Sequence, residues 1–123
     1  MSRKILVVED NEDTRELLHM YFTNAGFIVV PAPDGADGIY LAKAEMPDAI
    51  ITDISMPKVD GTEMIKRLRS DPQTRDIPIL VFTAVGSSTT EEALAVGADQ
   101  AFYKPFDFDE LVRIVREMLP NFD

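Results

Sequence analysis

The chain has 123 residues, of which 46% are apolar and 28% charged. These ordinary globular proportions suit a single domain and exclude a disordered, collagen-like or coiled-coil chain. Twelve Lys and Arg against 22 Asp and Glu give a formal net charge of -10, which argues against nucleic acid or an anionic membrane as the main partner. Without cysteine, disulfides, thiolate nucleophiles and Cys-based zinc sites are excluded, and a reducing, cytoplasmic setting is expected. The apolar run Ile5 to Val8 ends at Glu9 and Asp10, too short for a signal-peptide core or a membrane span.

Short apolar runs alternate with amphipathic stretches along the chain. The runs are Ile5 to Val8, Phe27 to Val30, Ala49 to Ile51, Ile79 to Phe82 and Ala101 to Tyr103. Rich in β-branched residues and lacking polar alternation, they read as strands buried on both faces of a parallel sheet. The first helix is expected from Asn11 to a stop at Gly26, with Leu18, Tyr21, Phe22 and Ala25 on one face and Glu12, Arg15, His19 and Thr23 on the other. Further helices are expected over Ala36 to Glu45, Thr62 to Arg69, Thr90 to Val96 and Phe108 to Leu119. Five βα units without a linker predict an α/β doubly wound sheet with right-handed crossovers, whose ligands sit beyond the carboxyl ends of the strands.

Four of those strand ends carry polar residues: Glu9 and Asp10 after the first run, Asp53 after the third, Thr83 after the fourth and Lys104 after the fifth. Three carboxylates at close quarters repel one another, and such a cluster gains from recruiting a cation. Magnesium takes hard oxygen ligands and leaves positions for water and phosphate. An aspartate can act as a nucleophile toward phosphorus, while a lysine and a hydroxyl suit phosphate oxygens. The set points to metal-assisted phosphoryl transfer. Each residue also has a plainer use. Asp10 or Asn11 is equally placed to cap the first helix, Thr83 to finish a strand and Lys104 to sit in a solvated loop. These uses do not explain why all the exceptions share one sheet edge. His19 reads as solvated, Met20, Met46, Met64 and Met118 as core fillers, and Gly61 as a turn residue needing a permissive backbone.

The segments Ile5-Leu6-Val7-Val8-Glu9-Asp10, Ile51-Thr52-Asp53-Ile54-Ser55-Met56-Pro57, Asp60-Gly61, Phe82-Thr83-Ala84, Gly97-Ala98-Asp99 and Lys104-Pro105-Phe106 together resemble the response regulator receiver domain of two-component signalling. The resemblance covers nearly the whole chain. It implies a flavodoxin-like (βα)5 sheet in the order 2-1-3-4-5 and one receiver domain over 1-123; with Asp123 right after the last helix, no output domain is expected. It implies that Asp53 is the phosphoacceptor and that Glu9, Asp10, Asp53 and the backbone carbonyl of Ser55 hold magnesium, with manganese as an alternative. Lys104 would contact the phosphoryl group and Thr83 would move toward it. The donor would be a sensor histidine kinase or a histidine phosphotransfer protein. Output would pass through a helix 4, strand 5 and helix 5 surface to a protein effector in trans, without direct nucleic-acid or membrane contact. Such a phosphorelay switch is not an enzyme beyond catalysing its own magnesium-dependent phosphorylation and dephosphorylation. The chain reads as a stand-alone regulator or as a receiver cut from a longer protein.

The chain also departs from that pattern. Three residues before Lys104, where the family usually carries an aromatic ring, stands Ala101, with Phe102 and Tyr103 following; strand alternation puts Ala101 and Tyr103 on one side and Phe102 on the other. Two positions that tune phosphoryl lifetime in the family correspond to Ser55 and Val85, which give an attacking water little help. Slow self-dephosphorylation is therefore expected. Two other readings fit these residues less well. A haloacid dehalogenase-type phosphatase wants a second acid where Ser55 stands, and a cap domain. A flavin module wants hydroxyls and glycines where Glu9 and Asp10 stand.

Overall fold

In the computed structural model, residues 3–54, 59–84, 89–104 and 107–119 are described, with backbone only for Ala84, Thr89 and Lys104. Strands and helices alternate throughout: β1 (Lys4–Val8), α1 (Glu12–Asn24), β2 (Ile28–Ala32), α2 (Gly35–Glu45), β3 (Ala49–Asp53), α3 (Gly61–Ser70), β4 (Ile79–Ala84), α4 (Thr89–Ala95), β5 (Gln100–Lys104) and α5 (Phe108–Met118). All strand pairs are parallel, and the sheet runs β2-β1-β3-β4-β5. The expected fold class and strand order are both observed.

Alternation along the strands splits the core into two layers. Leu6, Val8, Ile50, Ile79 and Val81 pack with Met64, Ile65 and Leu68 of α3 and with Ala42 and Ala93 of α2 and α4. Ile5, Val7, Ile51, Leu80 and Phe82 face the other way, onto Leu18 and Phe22 of α1 and Leu111 and Val115 of α5. Each fully buried large side chain contributes about 1.5–3 kcal/mol, so the helices are held mainly by these two faces. Among the described residues no helix is long and apolar enough to cross a membrane.

Helix starts are set by side-chain caps. Asn11 Oδ1 accepts the Thr14 N–H at 2.9 Å, Asp34 Oδ1 that of Asp37 at 2.8 Å, and Asp60 Oδ1 that of Glu63 at 2.9 Å, each worth about 1 kcal/mol. Asn11, not Asp10, therefore caps α1. Gly26, with φ of 100°, follows α1 as expected of a left-handed helix stop, and Gly97, with φ of 127°, follows α4.

Four expectations need correction. The second strand is not buried on both faces: β2 is an edge strand paired only with β1, Ile28 is 51% exposed, and Pro31, which lacks an N–H, is accommodated there. Phe27 precedes that strand and is buried edge-on against Phe22, at 5.6 Å between ring centroids. Met20 and Met46 are exposed rather than core, whereas Met64 is buried and Met118 half-buried. Gly61 is the first residue of α3 and has no positive φ; what its position demands is space, as shown below.

Candidate functional site

Val8, the last residue of β1, lies opposite Thr52 of β3. The chain after β1 and the end of β3 therefore emerge side by side, which is how the sheet brings Glu9 and Asp10 to Asp53. One carboxylate oxygen from each of these three residues lies within 4.8 Å of the others. Glu9 and Asp53 are buried and Asp10 is exposed, so the cluster meets solvent through Asp10.

Glu9 is held from three directions. Its N–H donates to the Ala32 carbonyl at 3.0 Å, its carbonyl accepts from Arg15 Nη1 at 2.8 Å, and its Oε2 accepts the Asn11 N–H at 3.1 Å. Sequence reasoning did not find Arg15 and Asn11 as supports. Periodicity placed Arg15 on the solvent side of α1, yet it is half-buried, because a guanidinium one turn into the helix reaches back to the strand end.

Asp53 closes β3 opposite Phe82 of β4, and Thr83, the next residue of β4, pairs with Tyr103 of β5. Thr83 is buried at 6% exposure. The backbone of Lys104 ends β5 opposite Ala84. Register thus places Thr83 and Lys104 along the same carboxyl edge as the three acids. The Ser55 carbonyl and Val85 lie outside the described residues. Around Asp53 itself, the buried Thr52 hydroxyl donates to the Asp53 carbonyl at 2.8 Å, and the Gly61 N–H donates to the Ile54 carbonyl at 2.8 Å.

Two unit charges about 5 Å apart repel by about 1 kcal/mol in water and by several times that in less polar surroundings. A divalent cation reverses the sign of that interaction. The donor set consists only of hard carboxylate oxygens, two of them on buried residues, and fits magnesium, which binds through one or two carboxylates and retains waters. Among the described residues this is the one such group of three acids.

The sequence matches the response regulator receiver domain family over residues 5–116. The chain belongs to that family. The DNA-binding dual master transcriptional regulator RpaA of Synechocystis is 38% identical over 98% of this chain and 50% of its own length. The transcriptional regulatory protein CusR of Escherichia coli K12 is 41% identical over 94% of this chain and 51% of its own. The receiver thus spans about half the length of these curated relatives. Among solved structures, chemotaxis protein CheY4 of Vibrio cholerae superposes with a TM-score of 0.90 at 32% identity, covering 97% of this chain and all of that one. The receiver domain of sensor histidine kinase PA1611 from Pseudomonas aeruginosa, solved with a magnesium ion in its active site cleft, gives 0.89 at 28% identity over 96% of this chain and 98% of that one.

Receiver domains of this family are signalling switches rather than classical enzymes. In this chain β5 shows the alternation expected around the absent aromatic ring. Ala101 packs against the α2–α4 side, Phe102 against the α1–α5 side, and Tyr103 is 43% exposed.

Proposed function

We propose that this receiver is a phosphorylation-driven switch in which Asp53 accepts a phosphoryl group from a phosphohistidine on a sensor kinase or phosphotransfer protein. The observation that carries the reading is the convergence of Glu9, Asp10 and Asp53 oxygens within 4.8 Å at the carboxyl edge of the sheet. An Asp53 carboxylate oxygen attacks phosphorus, the new O–P bond forms, and the P–N bond to the donor imidazole breaks, its electron pair leaving with the ring. Glu9, Asp10, Asp53 and the Ser55 carbonyl would hold magnesium, which would supply positive charge to the phosphoryl oxygens. Thr83 donates its hydroxyl proton to one of those oxygens, and the Lys104 ammonium pairs with another.

The modified Asp53 carries about two negative charges. Drawing Thr83 toward them biases a two-state equilibrium of the surface made by α4, β5 and α5, where a protein effector binds. Residues 1–123 act as the receiver unit of this relay, with neither nucleic acid nor membrane as its direct partner. Besides its own modification and demodification, the domain turns over no substrate.

Incubation with acetyl phosphate and magnesium, followed by intact mass measurement, tests the reading. The parent is expected to gain one phosphoryl group only when magnesium is present, and Asp53→Asn none. A parent that gains nothing, or an Asp53→Asn variant that gains as much, overturns it.

A further inference from the structure

Two helices begin with glycine, and both glycines press on the backbone that leads out of Asp53. At Gly61, the first residue of α3, a Cβ would lie 2.6 Å from the Asp53 carbonyl oxygen and 2.7 Å from Ile54 Cα. At Gly35, the first residue of α2, a Cβ would land on the Val59 carbonyl oxygen and stand 2.9 Å from its carbon. Neither residue has a positive φ, and glycine is a poorer helix former than alanine. Backbone conformation and helix propensity therefore leave both glycines unexplained; close approach accounts for them. Gly38, one turn further along α2, differs in kind. A Cβ there would stand 2.8 Å from the Met64 sulfur and 3.1 Å from Val8 Cγ2, side-chain atoms rather than backbone.

Asp53 is the last residue of β3; Ile54, which follows it, rests on Gly61, and Val59 rests on Gly35. The Gly61 N–H ties to the Ile54 carbonyl at 2.8 Å, and the Thr52 hydroxyl to the Asp53 carbonyl at 2.8 Å. We propose that Gly35 and Gly61 are positioning residues for phosphoryl transfer, two seats on different helices that set where Asp53 stands relative to Glu9 and Asp10. The proposal rests on the reading of Asp53 as phosphoacceptor. Gly35 belongs to a helix that contributes no residue to the acidic cluster, and it acts through Val59, its contact on the chain that follows Asp53. A displacement of about 1 Å at a reacting group is enough to slow chemistry about a hundredfold, and a methyl group at either seat must displace backbone by such an amount.

The test compares Gly35→Ala and Gly61→Ala with Gly26→Ala. Gly26 has φ of +100° and nothing within 4 Å of the added carbon; it lies in the turn before β2, at the sheet edge opposite the acids, so alanine there strains the fold without touching Asp53. For each variant the Tm is taken from circular dichroism, and the rate of magnesium-dependent phosphorylation by acetyl phosphate from intact mass. Gly35→Ala and Gly61→Ala are expected to slow phosphorylation about tenfold or more, while Gly26→Ala lowers Tm and leaves the rate unchanged. A Gly35→Ala protein as fast as the parent overturns the proposal, as does a Gly26→Ala protein slowed in proportion to its loss of Tm. Should Gly35→Ala not fold, Gly61→Ala carries the same two outcomes. A parent that is not phosphorylated at all instead sinks the phosphoacceptor reading itself.

Discussion

Arg69 Nη2, on the last turn of α3, lies 2.9 Å from Asp99 Oδ2, and the same oxygen accepts the Ile79 N–H at 2.8 Å. The rest of the guanidinium donates to three carbonyls: Nε to Gly97 at 2.9 Å, and Nη1 to Arg75 at 2.9 Å and Ile77 at 2.7 Å. One side chain thus joins α3, the approach to β4 and the turn between α4 and β5. Replacing Arg69 with Met strands these acceptors and is expected to cost about 2–3 kcal/mol in urea unfolding. Arg69→Lys should recover less than half, since one ammonium cannot reach acceptors arrayed around a planar fork. A loss below about 0.5 kcal/mol for Arg69→Met would mean that the network is no more than a surface ion pair.

Neutralising Asp10 tests the acidic cluster without disturbing buried structure, because Asp10 is its exposed member. Without magnesium, Asp10→Asn should be more stable than the parent by about 1 kcal/mol, from relief of repulsion. Magnesium should raise the parent's stability by about 2.7 kcal/mol at a hundred times its dissociation constant and should raise that of the variant far less. Thermal scans with and without magnesium read both effects; equal magnesium increments would remove Asp10 from the ligand set.

Phosphoryl lifetime is expected to depend on Ser55 and Val85, the residues at the two positions that tune it in the family. With Ser55 and Val85 offering little to orient an attacking water, self-dephosphorylation is expected to be slow. The double variant Ser55→Asn with Val85→Glu should shorten the lifetime about tenfold or more. Decay of the phosphorylated protein after removal of acetyl phosphate, followed by intact mass, measures it, and unchanged decay would assign the lifetime to other residues.

Lys43 Nζ on α2 lies 2.8 Å from Asp71 Oδ2 at the end of α3. Lys43, and then the Gln73 N–H, hold the Asp71 carboxyl below its ordinary value of 3.8. A depressed carboxyl adds stability above the unfolded pKa and loses it as pH falls through the folded one. The stability difference between the parent and Asp71→Asn should therefore be full above about pH 4 and shrink progressively below it. Denaturation at pH 6 and pH 3.5 compares the two, and a difference that grows on acidification would reverse the assignment.

Much of this molecule was legible along the chain. Strand runs with no polar alternation, helices with one apolar stripe and capping residues at their starts are local consequences of side-chain shape and hydrogen bonding, and they locate all ten elements within a few residues. The strand-end positions of Glu9, Asp10, Asp53, Thr83 and Lys104 follow from the same punctuation, since polar residues close four of the five apolar runs. Tertiary structure decided what local pattern leaves degenerate. It made Asn11 the cap and left Asp10 to the carboxylates, and it put β2 at the edge, where Ile28 and Pro31 need not be buried. It turned Arg69, one charge among many on a helix, into a brace for three segments. It also gave Gly35 and Gly61 their meaning, because a missing side chain carries information only once the backbone pressed against it is known.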